Sequence, residues 1–241
     1  HLHQSGCLKA LIPKNYADIP DVVMINTSGG ITGEDELRVK AKIGDRGHVC
    51  IATQTAERIY KSARGFGEST VELVLGKTAR LDWLPQETIL FNKSAFKRSM
   101  NVRMDKTAYL FMLETVVLGR QAMRETVTEN LFLDRWQIKR NEEVVYLEAL
   151  NLSNANELCG VAALGSNKAV STILYVAPDA ESRLPQMRGI LKNCDTVNAA
   201  SAWNGKLVVR LASERPELLR KNLIMIVTEF RGVSCPRVWL M

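Results

Sequence analysis

Short segments of alternating or wholly apolar residues, bounded by turn residues, fill the first three quarters of this 241-residue chain. They are typical of β-strands, because successive side chains of a strand point to opposite faces of a sheet. They predict strands at 22–25, 37–43, 48–53, 70–75, 79–84, 88–91, 109–118, 125–138, 144–150, 170–176 and 206–211. The sequence Gly-Asp-Arg-Gly at 44–47 predicts a hairpin turn between two of them.

Helical periodicity is confined to the end of the chain. A short helix is predicted from apolar residues that fall on one face: Leu184, Met187, Ile190 and Leu191. A longer helix is predicted to begin near Pro216, with Glu217 at the positive end of its dipole, and to end at Gly232. We therefore predict a mostly β (α+β) fold of stacked, largely antiparallel β-sheets with two helices near the C-terminus, in a single domain over 1–241.

The composition excludes several classes of protein. Apolar residues make up 46% of the chain and charged residues 24%, and folding can bury roughly 28,000 Å² of surface. That area is enough for a sizeable core, which excludes a disordered chain. No apolar run reaches the ~18–20 residues of a membrane-spanning helix, and the first residues do not predict a signal peptide.

The cysteines indicate a reducing compartment. They are odd in number, widely spaced and free of any C-x-x-C pair: Cys7, Cys50, Cys159, Cys194 and Cys235. This pattern differs from the disulfide framework of a small secreted protein. We therefore expect reduced thiols in a cytoplasmic protein.

The excess of basic residues is spread along the chain. The 32 Lys and Arg against 26 Asp and Glu leave a net charge of +6. Arg38, Lys40 and Lys42 alternate with apolar residues, which favours the solvated face of one strand over a basic surface that faces a partner. No zinc-finger, RRM or Walker pattern is present, so we expect neither a nucleic-acid nor a membrane partner.

The most unusual segment is glycine-rich and covers 26–35, with glycines at 29, 30 and 33. A phosphate cradle would lead into a helix N-terminus, usually with a lysine. Here a strand pattern follows, and Glu34 and Asp35 would repel an anion. The segment therefore predicts a structural turn that presents Asp35.

Histidine is too scarce to predict a tight metal centre. His1 and His3 lie at the start of the chain, and His48 falls in a strand pattern where a solvent-facing imidazole is expected. No Cys or His residues have the spacing of a tetrahedral zinc site. Weak, transient binding of a borderline divalent ion by carboxylates stays open.

Two carboxylates interrupt apolar strands, Glu114 within 109–118 and Glu148 within 144–150. An ionised carboxylate in an apolar core is costly unless it is paired or hydrogen-bonded. Each could point outward at an edge, line a polar passage, or pair with an arginine such as Arg120. One alternative function is a β-rich hydrolase that uses Asp35 with Glu114 as paired carboxylates, although the G-x-S-x-G motif is missing.

Five segments together resemble one protein family. They are Gly-Gly-Ile-Thr-Gly-Glu-Asp at 29–35, Thr-Gln-Thr-Ala-Glu-Arg-Ile-Tyr-Lys-Ser at 53–62, Leu-Asp-Trp-Leu-Pro-Gln-Glu-Thr-Ile-Leu-Phe at 81–91, Leu-Gly-Arg at 118–120 and Pro-Arg-Val-Trp at 236–239. Their content and order are similar to those of the UreD (also called UreH) family of urease accessory proteins. Two positions depart from the family pattern: Glu34 stands where glycine is usual, and Gln121 where proline often follows.

The resemblance implies a role in urease maturation and not in catalysis. Proteins of this family form a complex with UreF and the GTPase UreG, dock on urease apoprotein and help to deliver nickel. We therefore expect a hetero-oligomer with no tightly bound cofactor and with transient Ni²⁺. Asp35, Glu114 and Glu148 are predicted to line a polar passage, because scattered carboxylates hold this ion weakly. A pure protein-binding scaffold is the other alternative.

Overall fold

The computed structural model describes residues 2–14, 19–120, 123, 125–153 and 163–241. Of the residues in these ranges, half are in strands and 14% are helical. The described strands are β1 (Leu8–Leu11), β2 (Asp21–Asn26), β3 (Glu36–Ile43), β4 (His48–Thr53), β5 (Glu57–Ile59), β6 (Gly67–Leu75), β7 (Arg80–Leu84), β8 (Thr88–Leu90), β9 (Ser94–Met104), β10 (Tyr109–Leu118), β11 (Asn130–Arg140), β12 (Glu143–Ser153), β13 (Ala169–Val176), β14 (Val197–Trp203) and β15 (Lys206–Ser213).

Two α-helices lie near the C-terminus, as predicted: α1 (Leu184–Leu191) and α2 (Pro216–Arg231). Short 3-10 turns precede α1 at Glu181–Arg183 and follow α2 at Arg237–Trp239. Helix α2 ends where Gly232 adopts a left-handed conformation, with φ of 71°, which glycine adopts without steric cost. Among the helices that the structure describes, none is both long and apolar enough to span a membrane.

The strands form two sheets. A ten-stranded sheet has the order β1-β2-β4-β7-β10-β13-β15-β14, with the short β5 and β8 beside this path, and a five-stranded sheet has the order β12-β11-β9-β6-β3. The chain crosses repeatedly from one sheet to the other, so that β2, β4, β7 and β10 lie in the large sheet while β3, β6, β9 and β11 lie in the small one. The result is a solenoid-like coil of strands.

The prediction of largely antiparallel sheets is wrong. The pairs along β2-β4-β7-β10 and along β3-β6-β9-β11 are all parallel, whereas β1–β2, β10–β13, β11–β12, β13–β15 and β14–β15 are antiparallel. Alternation of apolar residues reports which face of a strand is buried and carries no information on the direction of its neighbour. Strands of one sheet run the same way here because each turn of the coil passes through the other sheet.

The predicted hairpin at 44–47 is wrong for the same reason. Strand β3, before this turn, pairs with β6 in the small sheet, and β4, after it, pairs with β2 and β7 in the large sheet. The turn is therefore a corner of the coil. Arg46 adopts a left-handed conformation there, with φ of 61°, and its N–H donates to Lys77 O at 2.8 Å in the next corner.

Most predicted strands are present, and the longest of those missed has a physical explanation. Strands β1, β5, β9 and β14 were not predicted, and β11 begins at Asn130 and not at 125. The largest omission, β9, has the buried Arg98 at a position that faces the core. A charged residue at an inward position breaks the apolar alternation from which strands are predicted.

The large sheet is buried on both faces. Between the two sheets lies a core that includes Leu73, Trp83, Met100 and Trp136. On the opposite face, helices α1 and α2 cover the large sheet through a second core that includes Phe111, Tyr175, Leu223 and Phe230. The molecule therefore has three layers: helices, large sheet and small sheet. The four cysteines within the described ranges, at 7, 50, 194 and 235, are free thiols, and Cys159 lies outside those ranges.

Candidate functional site

A cavity of about 120 Å³ lies between the two sheets. Its walls combine apolar side chains, such as Ile31 and Phe96, with charged and polar ones, among them Glu57, Arg98 and Glu114. Because these polar groups lie in an otherwise apolar interior, each must find a partner or keep contact with water. The cavity is therefore the candidate functional site of this fold.

At one wall of the cavity Arg98, Glu114 and Asp134 form a buried ion-paired cluster, named here the Arg98 triad. Arg98 forms an ion pair with Glu114, and its Nε donates to Asp134 Oδ1 at 3.0 Å. The side chain of Glu114 is 3% exposed and that of Asp134 is 1% exposed. Trp83 Nε1 donates to Glu114 Oε1 and Trp136 Nε1 donates to Asp134 Oδ1, both at 2.8 Å. Each carboxylate therefore has a cation and an indole as partners.

The strand pattern explains the position of the triad. Glu114 lies on β10 of the large sheet, between the inward-facing Met112 and Val116. Arg98 lies on β9 and Asp134 on β11 of the small sheet, and they are opposite each other in the parallel register. The triad therefore joins the two sheets through their interior.

Burial and neighbouring charges shift the pKa of Glu114 and of Arg98. Burial raises the pKa of Glu114, an effect that the charge of Arg98 opposes and the charge of Asp134 strengthens. Burial would lower the pKa of Arg98, but the charges of Asp134 and Glu114 outweigh it and raise that pKa. Arg98 is thus a permanent cation, and Glu114 is the carboxyl group whose charged form is disfavoured.

A second carboxylate lines the same cavity. Asn26 Nδ2 donates to both oxygens of Glu57, at 3.1 and 3.2 Å, and the N–H of Glu57 donates to Glu87 O at 2.8 Å. Burial raises the pKa of Glu57, and the hydrogen bond from Asn26 opposes this shift. Glu57 was not predicted as a site residue, because the short strand β5 has no alternation to mark it; its only signal is its place in the 53–62 motif.

Glu148 lies elsewhere. It forms an ion pair with Arg210, and Tyr146 Oη donates to Glu148 Oε2 at 2.7 Å. Because β12 belongs to the small sheet and β15, which contains Arg210, belongs to the large one, this contact also joins the two sheets. Glu148 does not line the cavity.

Asp35 closes a turn, as the glycine-rich segment predicts. Its side chain is exposed, and its Oδ2 accepts a hydrogen bond from Thr32 N at 2.8 Å. Glu34, at the usual position of the family's glycine, has a left-handed φ of 69°. A Cβ at Gly33 would collide with Arg64 O, so that only glycine lets this turn lie against the 53–62 motif and the residues after it.

The three predicted metal residues are therefore not together. Asp35 is in an exposed turn, Glu114 lines the cavity and Glu148 bridges the sheets outside it. Within the described ranges, no group of three or more His, Cys, Asp or Glu residues is arranged to hold a metal ion. The arginine partner of Glu114 is Arg98, whereas Arg120 pairs with Glu125. A role of the three residues in metal transit stays a prediction.

The 81–91 motif fastens the C-terminal segment to the large sheet. Arg231 Nη2, at the end of α2, donates to Asp82 Oδ2 at 2.8 Å. His48 is half-buried, and its Nε2 lies 3.3 Å from the same oxygen, so that it is less exposed to solvent than predicted. Arg220, also on α2, donates to Glu87 at 2.9 Å.

The end of the chain is held by the same motif. Trp239 Nε1 donates to Leu84 O at 2.9 Å, and Gln86 Nε2 donates to Val238 O at 3.0 Å. Trp239 is almost completely buried. Two of the segments that carry the family resemblance, at 81–91 and 236–239, are thus in direct contact although about 150 residues separate them.

Known proteins are similar to this chain over almost its whole length. Residues 1–240 match the family model described as UreD urease accessory protein. The chain belongs to the UreD family. Curated UreD proteins from Rhizobium leguminosarum bv. trifolii and Dinoroseobacter shibae are 40% and 43% identical to it, and the alignments cover 99% of this chain and 88% and 84% of those proteins. A UreD protein from Xanthobacter autotrophicus is 37% identical over 240 residues.

Membership of the UreD family confirms the resemblance and rejects the hydrolase alternative. Proteins of the UreD family are accessory proteins of urease and are not themselves catalytic enzymes. The geometry agrees, because Asp35, the first of the two carboxylates assigned to a hydrolase, is tied into an exposed turn while Glu114 is buried and ion-paired. The cavity is therefore interpreted as part of an accessory protein.

Proposed function

We propose that this chain assists urease maturation in the cytoplasm, in a complex with UreF and UreG that docks on urease apoprotein and delivers nickel to it. Family membership supports the urease part of this proposal. The observation that carries the nickel part is the cavity between the two sheets, which is lined by two carboxylates, Glu57 and Glu114. Ni²⁺ is the cargo in this proposal and not a resident cofactor.

The arrangement of the carboxylates suits brief binding. Glu57 is held by Asn26, and Glu114 is held by Arg98 and Trp83, so that neither is preset as part of a closed ligand cage. A single carboxylate with water ligands binds a borderline divalent ion weakly, and a closed set of thiolates or imidazoles would retain it. An ion could therefore pause at each carboxylate and leave.

Protonation supplies a way to couple entry of the ion to release of a proton. Burial raises the pKa of both Glu57 and Glu114, so that their neutral forms are favoured relative to exposed glutamates. A metal ligand must be deprotonated. Arrival of Ni²⁺ is then expected to displace protons from the cavity.

The test is nickel loading of urease by the reconstituted complex. Glu57→Gln and Glu114→Gln remove one negative charge each and keep a hydrogen-bond acceptor for Asn26 and Trp83. We expect the double variant to assemble with its partners and to load several-fold less nickel per urease active site, measured by metal analysis of the purified urease. Glu142→Gln, at an exposed turn position, is the matched control. Unchanged loading by the double variant would contradict transit through the cavity.

A pure scaffold is the second candidate, and one observation favours it. Arg98 places a permanent positive charge beside Glu114, which opposes the entry of a divalent cation at that wall. A scaffold requires partner binding alone, so that the same double variant would then leave loading unchanged while the complex forms.

A further inference from the structure

The outer face of the small sheet has a row of cations at one end. Lys42 of β3, Val74 of β6, Arg103 of β9 and Lys139 of β11 are consecutive partners in the parallel register of this sheet. Each follows or precedes a residue that points into the core, so the four side chains share the outer face. We name this set the cationic row. With strands about 4.8 Å apart, it extends roughly 14 Å across the sheet.

Three other cations of this face are paired, whereas the cations of the cationic row and Arg135 of β11 form no ion pair with the residues that the structure describes. Three ion pairs lie along the face: Arg38 with Glu36, Lys40 with Glu72 at 3.1 Å, and Lys97 with Glu68 at 3.8 Å. Within the described part of the chain, no carboxylate lies within ion-pair distance of Lys42, Arg103 or Lys139. The positive charge of the row is therefore available to a partner.

Repulsion between the cations of the row is expected to lower the stability of the fold. Arg103 and Lys139 are directly opposite on neighbouring strands, and like charges in this arrangement destabilise a sheet. The acids of the adjacent corners, Asp45 and Asp105, form no ion pair with the row among the described residues. Asp45 Oδ1 accepts from Lys77 N at 2.8 Å and Asp105 Oδ1 accepts from Thr107 N at 2.9 Å. An uncompensated repulsion at the surface is typical of a position used for binding.

We propose that the cationic row is a docking surface for a protein whose contact surface carries a line of carboxylates. Charge complementarity selects this partner, and Val74, 41% exposed between Lys42 and Arg103, adds an apolar contact that a protein can match. Asp45 and Asp105, in the corners that follow β3 and β9, would repel a continuous phosphate backbone. The partner is urease apoprotein or another accessory protein, so this inference rests on the proposed function.

The experiment measures binding of purified UreF, UreG and urease apoprotein, each taken singly, to the full chain at low and high salt. The row variant Lys42→Gln/Arg103→Gln/Lys139→Gln removes three charges. The control Lys9→Gln/Lys192→Gln/Lys221→Gln removes three exposed charges elsewhere. We expect the row variant to weaken binding of at least one partner by about tenfold at low salt, with a smaller loss at high salt. The control stays within about twofold of the unsubstituted chain.

Thermal unfolding of the same variants distinguishes a loss of partner binding from a loss of folded structure. Because the row is repulsive, the row variant is expected to unfold at a temperature equal to or above that of the unsubstituted chain while it binds more weakly. Equal binding by the row variant and the control overturns the inference. Absence of binding by the unsubstituted chain to all three proteins contradicts the proposed function instead. Row-dependent binding of a 20-base-pair DNA duplex, with no row dependence for the three proteins, also overturns the inference.

Discussion

Asp82 and Arg231 are 149 residues apart in sequence and form an ion pair of 2.8 Å, with side chains that are 10% and 7% exposed. Asp82 lies on the face of the large sheet that α2 covers, and Arg231 is the last residue of that helix. Together with the contact from Arg220 to Glu87, this pair fixes both the start and the end of α2 to one sequence motif. The C-terminal helix is thus positioned by the 81–91 segment.

We expect Asp82→Ala to lower the free energy of unfolding by about 3 kcal/mol, because it leaves the buried guanidinium of Arg231 without its partner. Among the residues that the structure describes, none accepts a hydrogen bond from the Nε of Arg231. Urea unfolding measures the change. Glu68→Ala, which removes one member of an exposed pair with Lys97, is the control and is expected to cost less than about 1 kcal/mol. Equal effects of the two variants would show that the buried pair does not hold the helix.

The fold could be predicted as far as its strands and helices, and not in its connections. Alternation located β3, one face of which is buried, and a continuous apolar run located β10, which is buried on both faces. Pro216 and Gly232 correctly bounded α2. Parallel pairing could not be predicted, since it depends on which strands the coil brings together and not on local pattern. The corner at 44–47 has the residues of a hairpin turn but connects two sheets.

Arg98→Met is expected to lower the free energy of unfolding by about 3 to 5 kcal/mol, because Glu114 and Asp134 then remain buried without a cation. The variant Arg98→Met/Glu114→Gln/Asp134→Asn keeps acceptors for Trp83 and Trp136 and removes both uncompensated charges. It is expected to recover at least half of the loss in urea unfolding. Failure to recover would show that the shape of the Arg98 side chain, and not its charge, is what the interior requires.

The candidate site could be predicted in part. An acid within an apolar strand marked Glu114 as a candidate, and burial beside an arginine was one of the alternatives that the pattern left open. The partner could not be named, because Arg98 lies on the other sheet and meets Glu114 only through the stacking of the layers. No alternation of apolar residues indicates that Glu57 is partly buried. Its burial comes from the cavity and from Asn26, which is 31 residues earlier in the chain.

Glu57→Gln is expected to raise stability at neutral pH. Burial raises the pKa of Glu57 in the folded chain above its ordinary value of 4.5, so the folded state holds this proton more tightly than the unfolded state. The stability contributed by the group is then fully present below pH 4.5 and is lost as the pH rises through the folded pKa. The variant should therefore be more stable than the unsubstituted chain near pH 7, and the difference should shrink towards pH 4 in urea titrations. A constant difference across this range would contradict the assignment.

Glu34→Gly is expected to stabilise the chain by about 0.5 kcal/mol. Glu34 has a left-handed φ of 69°, which is costly for a residue with a Cβ and free of strain for glycine, although glycine also gains freedom in the unfolded state. Thermal unfolding measures the change. Glu36→Gly, two residues later in strand β3, is the control and is expected to destabilise, because glycine weakens a strand. Destabilisation by both variants would show that the side chain of Glu34 makes a contact worth more than the strain.

Glu114→Gln and Glu148→Gln separate the cavity from the sheet bridge in nickel delivery. Both carboxylates are ion-paired with arginine, but Glu114 lines the cavity and Glu148 does not, and Arg210, the partner of Glu148, is 45% exposed. We expect Glu114→Gln to reduce nickel loading of urease several-fold and Glu148→Gln to reduce it less, with a stability loss below about 1 kcal/mol for the partly exposed pair. Metal analysis of urease after activation by each variant gives the comparison. An equal or larger fall for Glu148→Gln would move the route of the ion from the interior of the coil to the edge where β12 meets β15.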